Sequence, residues 1–172
     1  MVTLDANTLA RFYVDDPSDP EFFKQRPMAY RLLTESAQVY VPLTVVLELE
    51  WVLRAFYGFV ADDFVRVVRH LLGLPNVSVQ EWSQVADALA WHADGLDFAE
   101  ALHLLASSHC TEFLSFDDKR LARRLGAHEF VPAGCCSSIK FESVNAPSIR
   151  HCEPGEAIHD FRTAWTAELR SQ

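Results

Sequence analysis

The sequence has no apolar run approaching the roughly 18 residues that a membrane-spanning helix needs. Its opening stretch, "MVTLDANTL", has neither a basic leading segment nor a long apolar one. No secretory leader is therefore expected, and the expected compartment is the cytoplasm, with no membrane attachment. Cysteine is scarce: Cys110, Cys135, Cys136 and Cys152, with no Cys-x-x-Cys pair among them. In a cytoplasmic chain these read as free thiols rather than a disulfide framework. A zinc site from Cys135, Cys136, His151 and Cys152 would need adjacent ligands to share one tetrahedron, which they rarely do. Positive charge is also short, with 15 Lys and Arg against 24 Asp and Glu and a net charge of −9. That balance argues against nonspecific polyanion binding over the whole surface. It leaves room for an enzyme acting on nucleic acid. Carboxylates clustered around a divalent cation lower the formal charge, and the bound cation restores a local positive field. There is no Gly-x-Ser-x-Gly elbow and no Walker loop, so neither a serine nucleophile on such a turn nor a nucleotide cradle is indicated.

What is present is a core-forming composition. Hydrophobic residues make up 49% of the 172, which suits one domain with a possible appendage. "VTLD" (Val2 to Asp5) reads as a short buried strand ending in a carboxylate. "PEFFKQRPMAYRLLTESA" reads as helix around Phe22, Tyr30, Leu32 and Leu33, with Pro27 expected to kink or restart it. "QVYVP" is a second strand. "LTVVLELEWVLRAFYG" is the strongest helix, with Val45, Leu49, Val52 and Phe56 at helical spacing and Gly58 where a C-terminal cap belongs. "ADDFVRVVRHLLG" repeats the pattern with Phe64, Val67, Val68 and Leu71. "VSV" is a weak strand, and "WSQVADALAWHADG" a helix closing at Gly95. A further helix runs from Asp97 to about Ser108. "EFLSFD" is a buried strand ending in Asp117, "DKRLARRLG" a short basic helix, and "EFVP" a last strand.

Strands alternating with helices predict an α/β fold, a three-layer α/β/α sandwich around a central parallel sheet. After Pro132 the periodicity fades. The expected division is residues 1–132 as the folded domain and 133–172 as a C-terminal extension of unknown role. Only its final stretch, with Ile158, Phe161, Trp165 and Leu169, carries an amphipathic pattern.

Function in such sheets gathers at the carboxyl ends of the strands. Asp5 and Asp117 both stand there. Asn7 can cap the helix expected from Thr8, which leaves Asp5 available as a metal ligand. Glu50 has Arg54 four residues on and reads as half of a surface ion pair. Glu48 sits at the border of the expected buried face, where an uncompensated carboxylate is costly unless a cation meets it. Asp117, in line with Ser115, points toward the site, while Asp118 caps the helix that follows. In "GLDFAEALHLL", Asp97 and Glu100 can form a capping box or supply metal ligands. Glu100 and His103 make one Glu-x-x-His pair, but a di-iron bundle needs a second, so His103 reads as an ordinary helix residue. Lys119, Arg120, Arg123 and Arg124 form either a solvated helix face or a phosphate-contacting strip.

Taken in order, "VTLDANTLARFYVDD", "VPLTVVLELEWVLRAFYG", "GLDFAEALHLLAS" and "FLSFDDKRLARRLGA" resemble the PIN-domain family, specifically the VapC-type toxins of bacterial type II toxin–antitoxin pairs. The resemblance covers Met1 to about Pro132. It implies an endoribonuclease dependent on Mg²⁺ or Mn²⁺, with Asp5, Glu48, Glu100 and Asp117 as catalytic metal ligands. It implies auxiliary roles for Asn7, Asp97 and Ser115, and Asp118 is auxiliary to the site as the expected cap of the next helix. An antitoxin protein covering the site, and a homodimer, are further implications. One position departs from the family pattern: Glu100 stands where an Asp is usual, one methylene longer, and Mg²⁺ demands near-ideal octahedral geometry.

Two other readings are compatible with the sequence. One is a degenerate PIN domain that binds RNA or protein without cutting. The other is a haloacid-dehalogenase-like phosphatase, suggested by "VTLDANTL" and by Asp117-Asp118. Against the second, Asn7 replaces the second Asp of that start, and no lysine or cap domain fits.

Overall fold

Three short strands form a sheet: β1 (Val2–Thr3), whose two residues are exposed rather than buried as expected, β2 (Val39–Val41) and β3 (Val77–Val79). They run parallel in the order β1-β2-β3, with Val2 opposite Val39 and Val39 opposite Val77. The middle strand is the most enclosed, its Val39 and Val41 both fully buried. The computed structural model describes residues 1–110, 112–115 and 138–141, all within the unit Met1–Phe141. The expected helix from Lys119, the expected strand "EFVP", the remaining cysteines and the amphipathic end of the chain lie outside these residues.

Six helices are described: α1 (Ala6–Tyr13), α2 (Phe22–Glu35), α3 (Leu43–Tyr57), α4 (Ala61–Gly73), α5 (Trp82–Ala93) and α6 (Phe98–Ala106). The protein is therefore mixed α/β with a parallel sheet, as expected. Among the described residues, no helix is long and apolar enough to cross a membrane. The core joins Val39, Val41 and Val79 of the sheet to Leu9, Leu33, Leu49, Leu53, Val68, Leu71 and Phe98 of the helices. α3 is the hub, packing on α1, α4 and α6.

Side chains fix where the helices start and stop. Pro42 precedes α3 and has no capping side chain, so Gln80, just beyond β3, accepts a hydrogen bond from Leu43 N at 3.1 Å instead. Asn76, just before β3, donates to the carbonyls of Leu33 and Ser36 (2.8 and 3.0 Å) and satisfies the end of α2. Gly58 closes α3 at φ +67°, a left-handed conformation that glycine adopts without a Cβ penalty.

Three expectations change. Pro27 does not restart its helix; α2 runs through it from Phe22 to Glu35. Pro27 and residues 23–25 are exposed, so water can take up the carbonyl that loses its N–H partner. The buried stripe of α3 is Val46, Leu49, Glu50, Val52 and Leu53, rotated from the expected one, and Phe56 is 68% exposed. Both stripes are apolar in the sequence, and packing against α1, α4 and α6 chooses between them. Finally, β4 (Glu112–Ser115) pairs in parallel with β5 (Ser138–Phe141) as a separate two-stranded sheet. β5 lies beyond Pro132, in a stretch where the sequence pattern predicts no strand. Its four residues are too few to show a period.

Candidate functional site

Asp5 stands two residues beyond the end of β1, with Leu4 between, and is the N-cap of α1. Its backbone is extended (φ −88°, ψ 172°), and its Oδ1 accepts from Thr8 N at 2.8 Å. The expected division of labour is thus corrected: the helix starts at Ala6, and Asp5 itself supplies the cap expected of Asn7. Asn7 is exposed on the first turn. The Thr8 side chain, and then its backbone N–H, hold the Asp5 carboxyl below its usual range, so it is anionic at neutral pH. Capping occupies one oxygen and leaves the exposed carboxylate open to a further ligand.

Glu48 is exposed rather than at a buried border. The rotation of α3 that buries Glu50 turns Glu48 outward. It makes no hydrogen bond or ion pair with the described residues. Glu50 does pair with Arg54, as expected, with Arg54 Nε donating to Oε1 at 2.7 Å, but the glutamate is only 9% exposed and belongs to the interior.

Asp97 caps α6. Its Oδ1 accepts from Ala99 N at 3.0 Å and from Glu100 N at 3.3 Å. Glu100 is half-buried on the first turn of that helix. His103, two-thirds along α6, is exposed.

α3, which carries Glu48, packs on both α1, capped by Asp5, and α6, which carries Glu100. Carboxylate oxygens are the donors a hard divalent cation takes. Among the described residues, however, no three His, Cys, Asp or Glu side chains form a group able to hold a metal ion. Asp117, Asp118, Lys119, Arg120, Arg123 and Arg124 lie outside the described residues, and Ser115 ends β4 with only its backbone described. The donor chemistry fits; the grouping of Asp5, Glu48 and Glu100 is not by itself a metal site.

Two cavities adjoin these elements. One, of about 280 Å³, opens beside the cap of α1 and is lined by Asn7, Thr8, Arg11, Gln25, Met28, Ala29 and Leu32. Arg11 there is already paired with Asp19 and donates to Gln25 Oε1 at 3.0 Å. The other, of about 420 Å³, includes Glu50, Arg54, Phe64, His92, Leu96 and Asp97 in its lining.

Sequence pattern alone does not single out His92. It is buried, edge-on to Phe64 and Phe98, and its Nδ1 lies 2.7 Å from the Leu96 carbonyl oxygen. A carbonyl can only accept, so Nδ1 carries the proton. The one available signal is its place on the last turn before Gly95, four residues from Leu96. Compared with protein-family models and with curated proteins, the chain matches none.

Proposed function

We propose that this protein is a divalent-metal-dependent endoribonuclease with a PIN-like three-layer α/β/α fold, acting as the toxin of a toxin–antitoxin pair. The observation that carries the reading is the placement of Asp5. A carboxylate kept anionic stands between the carboxyl end of a strand of a parallel sheet and the helix that follows, where such folds gather their chemistry. The resemblance of four motifs to the PIN-domain family supports it, as does the packing of α3 on both α1 and α6.

In this reading Asp5, Glu48, Glu100 and Asp117 would hold a divalent metal, which when bound would supply an activated water and positive charge against the phosphodiester. The chain's own residues do the rest. Thr8 fixes one Asp5 oxygen and keeps the carboxyl ionised. Asp97 fixes the first turn of α6 and so the starting point of the Glu100 side chain. Lys119, Arg120, Arg123 and Arg124 contact substrate phosphates. The substrate is RNA in single-stranded or loop form, where bases are accessible. A covering antitoxin and a homodimer belong to the same proposal. The exposed Phe23, Met28, Tyr30 and Leu32 of α2 supply apolar surface for such contacts.

A non-cutting RNA- or protein-binding domain is the second reading. It is favoured by Glu100, which stands where the PIN-domain pattern has an Asp. Incubating total RNA with the protein and Mg²⁺ or Mn²⁺ separates the two. Cleavage by the wild type, lost in Asp5→Asn, supports the nuclease. RNA left intact with every divalent metal sinks it.

A further inference from the structure

Two buried polar side chains, Glu50 and His92, each 9% exposed, line the larger cavity, and the proposed chemistry uses neither. At about 420 Å³ the cavity falls within the roughly 300–1,000 Å³ of small-molecule sites, which combine apolar walls with a few convergent polar groups. Phe59 and Phe64 supply apolar wall, Phe64 lying edge-on to the His92 ring at 5.8 Å.

The hydrogen bonds already made leave a definite set of open positions. His92 Nδ1 donates to Leu96 O at 2.7 Å, so in the neutral ring Nε2 is an acceptor. Nε2 makes no hydrogen bond to the described residues and is not sealed from solvent; the cavity that His92 lines is its opening. Asp97 Oδ1 takes the amides of Ala99 and Glu100, which leaves Oδ2. Glu50 Oε1 accepts from Arg54 Nε at 2.7 Å, while Oε2 has only a 3.4 Å contact with Nη2. Arg54 Nη1 makes no hydrogen bond to the described residues. The lining thus offers open acceptors on His92, Asp97 and Glu50, and open side-chain donors on Arg54.

That balance discriminates among the bases of RNA. Uracil brings one N–H between two carbonyls. Cytosine and adenine each bring one amino group beside acceptors. Guanine alone sets two neighbouring donors, N1–H and the N2 amino group, next to an acceptor, O6. An acceptor-rich lining with one cation pairs the guanine edge and leaves the other bases, or the site itself, with unpaired polar groups. Two carboxylates against one guanidinium also disfavour a phosphate in the cavity.

We propose that this cavity is a guanine-binding pocket: the carboxylates and His92 Nε2 accept from N1–H and the N2 amino group, Arg54 donates to O6, and the phenylalanines cover the ring. Its role rests on the nuclease reading; its binding of the base does not. Bases of single-stranded RNA are free to leave the stack and enter such a pocket. Asp97, in the lining, caps the helix that carries Glu100. A guanine held there anchors the strand next to the proposed metal site and fixes which phosphodiester is cut.

The test titrates the full chain, in EDTA, with guanosine, inosine, adenosine, cytidine and uridine, following the His92 ring signals by NMR. Inosine keeps N1–H and O6 but lacks the N2 amino group. Guanosine should shift the His92 signals saturably and bind about tenfold tighter than each of the other four. Ala61→Phe adds bulk to the lining without removing a polar group and should abolish that binding. Arg54→Lys keeps a cation beside buried Glu50 but loses the planar fork, and should weaken guanosine several-fold. The wild-type selectivity decides by itself if either variant fails to fold. Guanosine that leaves His92 unshifted overturns the proposal. So does binding no tighter than that of inosine or adenosine, or undiminished binding to a folded Ala61→Phe. Under the nuclease reading, mapped cuts should share a guanine at a fixed distance from the cleaved bond, and cuts without one overturn the pocket's role. If the wild type cuts no RNA, the nuclease reading falls, while the guanosine titration still decides the pocket.

Discussion

Glu50 and Arg54 are joined across one turn of α3 by a 2.7 Å hydrogen bond, and the two ends of the pair differ in environment. The glutamate side chain is 11% exposed and the arginine side chain 55%. Removing the exposed partner should therefore hurt more than neutralising the buried one. Arg54→Ala strands a buried carboxylate and should cost about 1–3 kcal/mol. Glu50→Gln keeps an acceptor for Arg54 and should cost less. Urea unfolding midpoints of the two variants, compared at equal slope, check the order.

Asp5 carries a structural and a proposed catalytic role that substitution can separate. Asparagine caps a helix about as well as aspartate, whereas alanine loses about 1 kcal/mol. Asp5→Asn should keep stability and lose RNA cleavage, and Asp5→Ala should lose both. An Asp5→Asn protein that still cuts RNA would show that the carboxylate serves α1 alone.

The same residue predicts a pH dependence. Hydrogen bonding to Thr8 lowers the Asp5 carboxyl below the ordinary aspartate value of 3.8. A group depressed in the folded state stabilises it above the unfolded value, and that contribution disappears as pH falls through the lowered one. The wild type should lose stability below about pH 4 more steeply than Asp5→Asn, because only the wild type has this proton to bind. Unfolding midpoints from pH 6 down to about 2 provide the comparison.

Two helix-end glycines should respond in opposite directions. Gly58 has φ +67°, and a Cβ added there would have nothing within 4 Å. Gly58→Ala therefore meets backbone strain without a clash and should cost about 1 kcal/mol. Gly73 ends α4 with equally open space and no such φ, so Gly73→Ala should be stabilising by about 0.5 kcal/mol. Thermal melts of the pair test this, and equal shifts would contradict it.

Glu100 tests the departure from the family pattern. Under the nuclease reading, Glu100→Ala should abolish cleavage, and Glu100→Asp should cut at lower Mg²⁺ than the wild type. If Glu100→Ala cuts normally, the residue serves only the start of α6.

Much of the fold is legible in the sequence because its elements are punctuated locally. Gly58 and Gly73 stand at the ends of α3 and α4, and the apolar spacing of Phe64, Val67, Val68 and Leu71 marks the buried face of α4 correctly. Asp97 as the cap of α6 is equally readable, since a cap needs only its own turn. The differences lie where local signals are degenerate. Asp5 and Asn7 are both competent caps, and only the register in which Ala6 joins the helix assigns the role to Asp5. Pro27 is tolerated because its segment lies at the surface, a fact of placement rather than composition.

The sequence by itself determined the alternation of strands and helices, the parallel sheet this implies, and the set of carboxylates worth asking about. Period and capping chemistry are properties of neighbours in the chain. Tertiary structure decided which face of α3 turns inward. It buried Glu50 with its counterion at the surface, exposed Glu48, and brought Arg54, His92 and Asp97 to one cavity. α3 is apolar nearly all round, so its own residues could not choose; α1, α4 and α6 packing against it could.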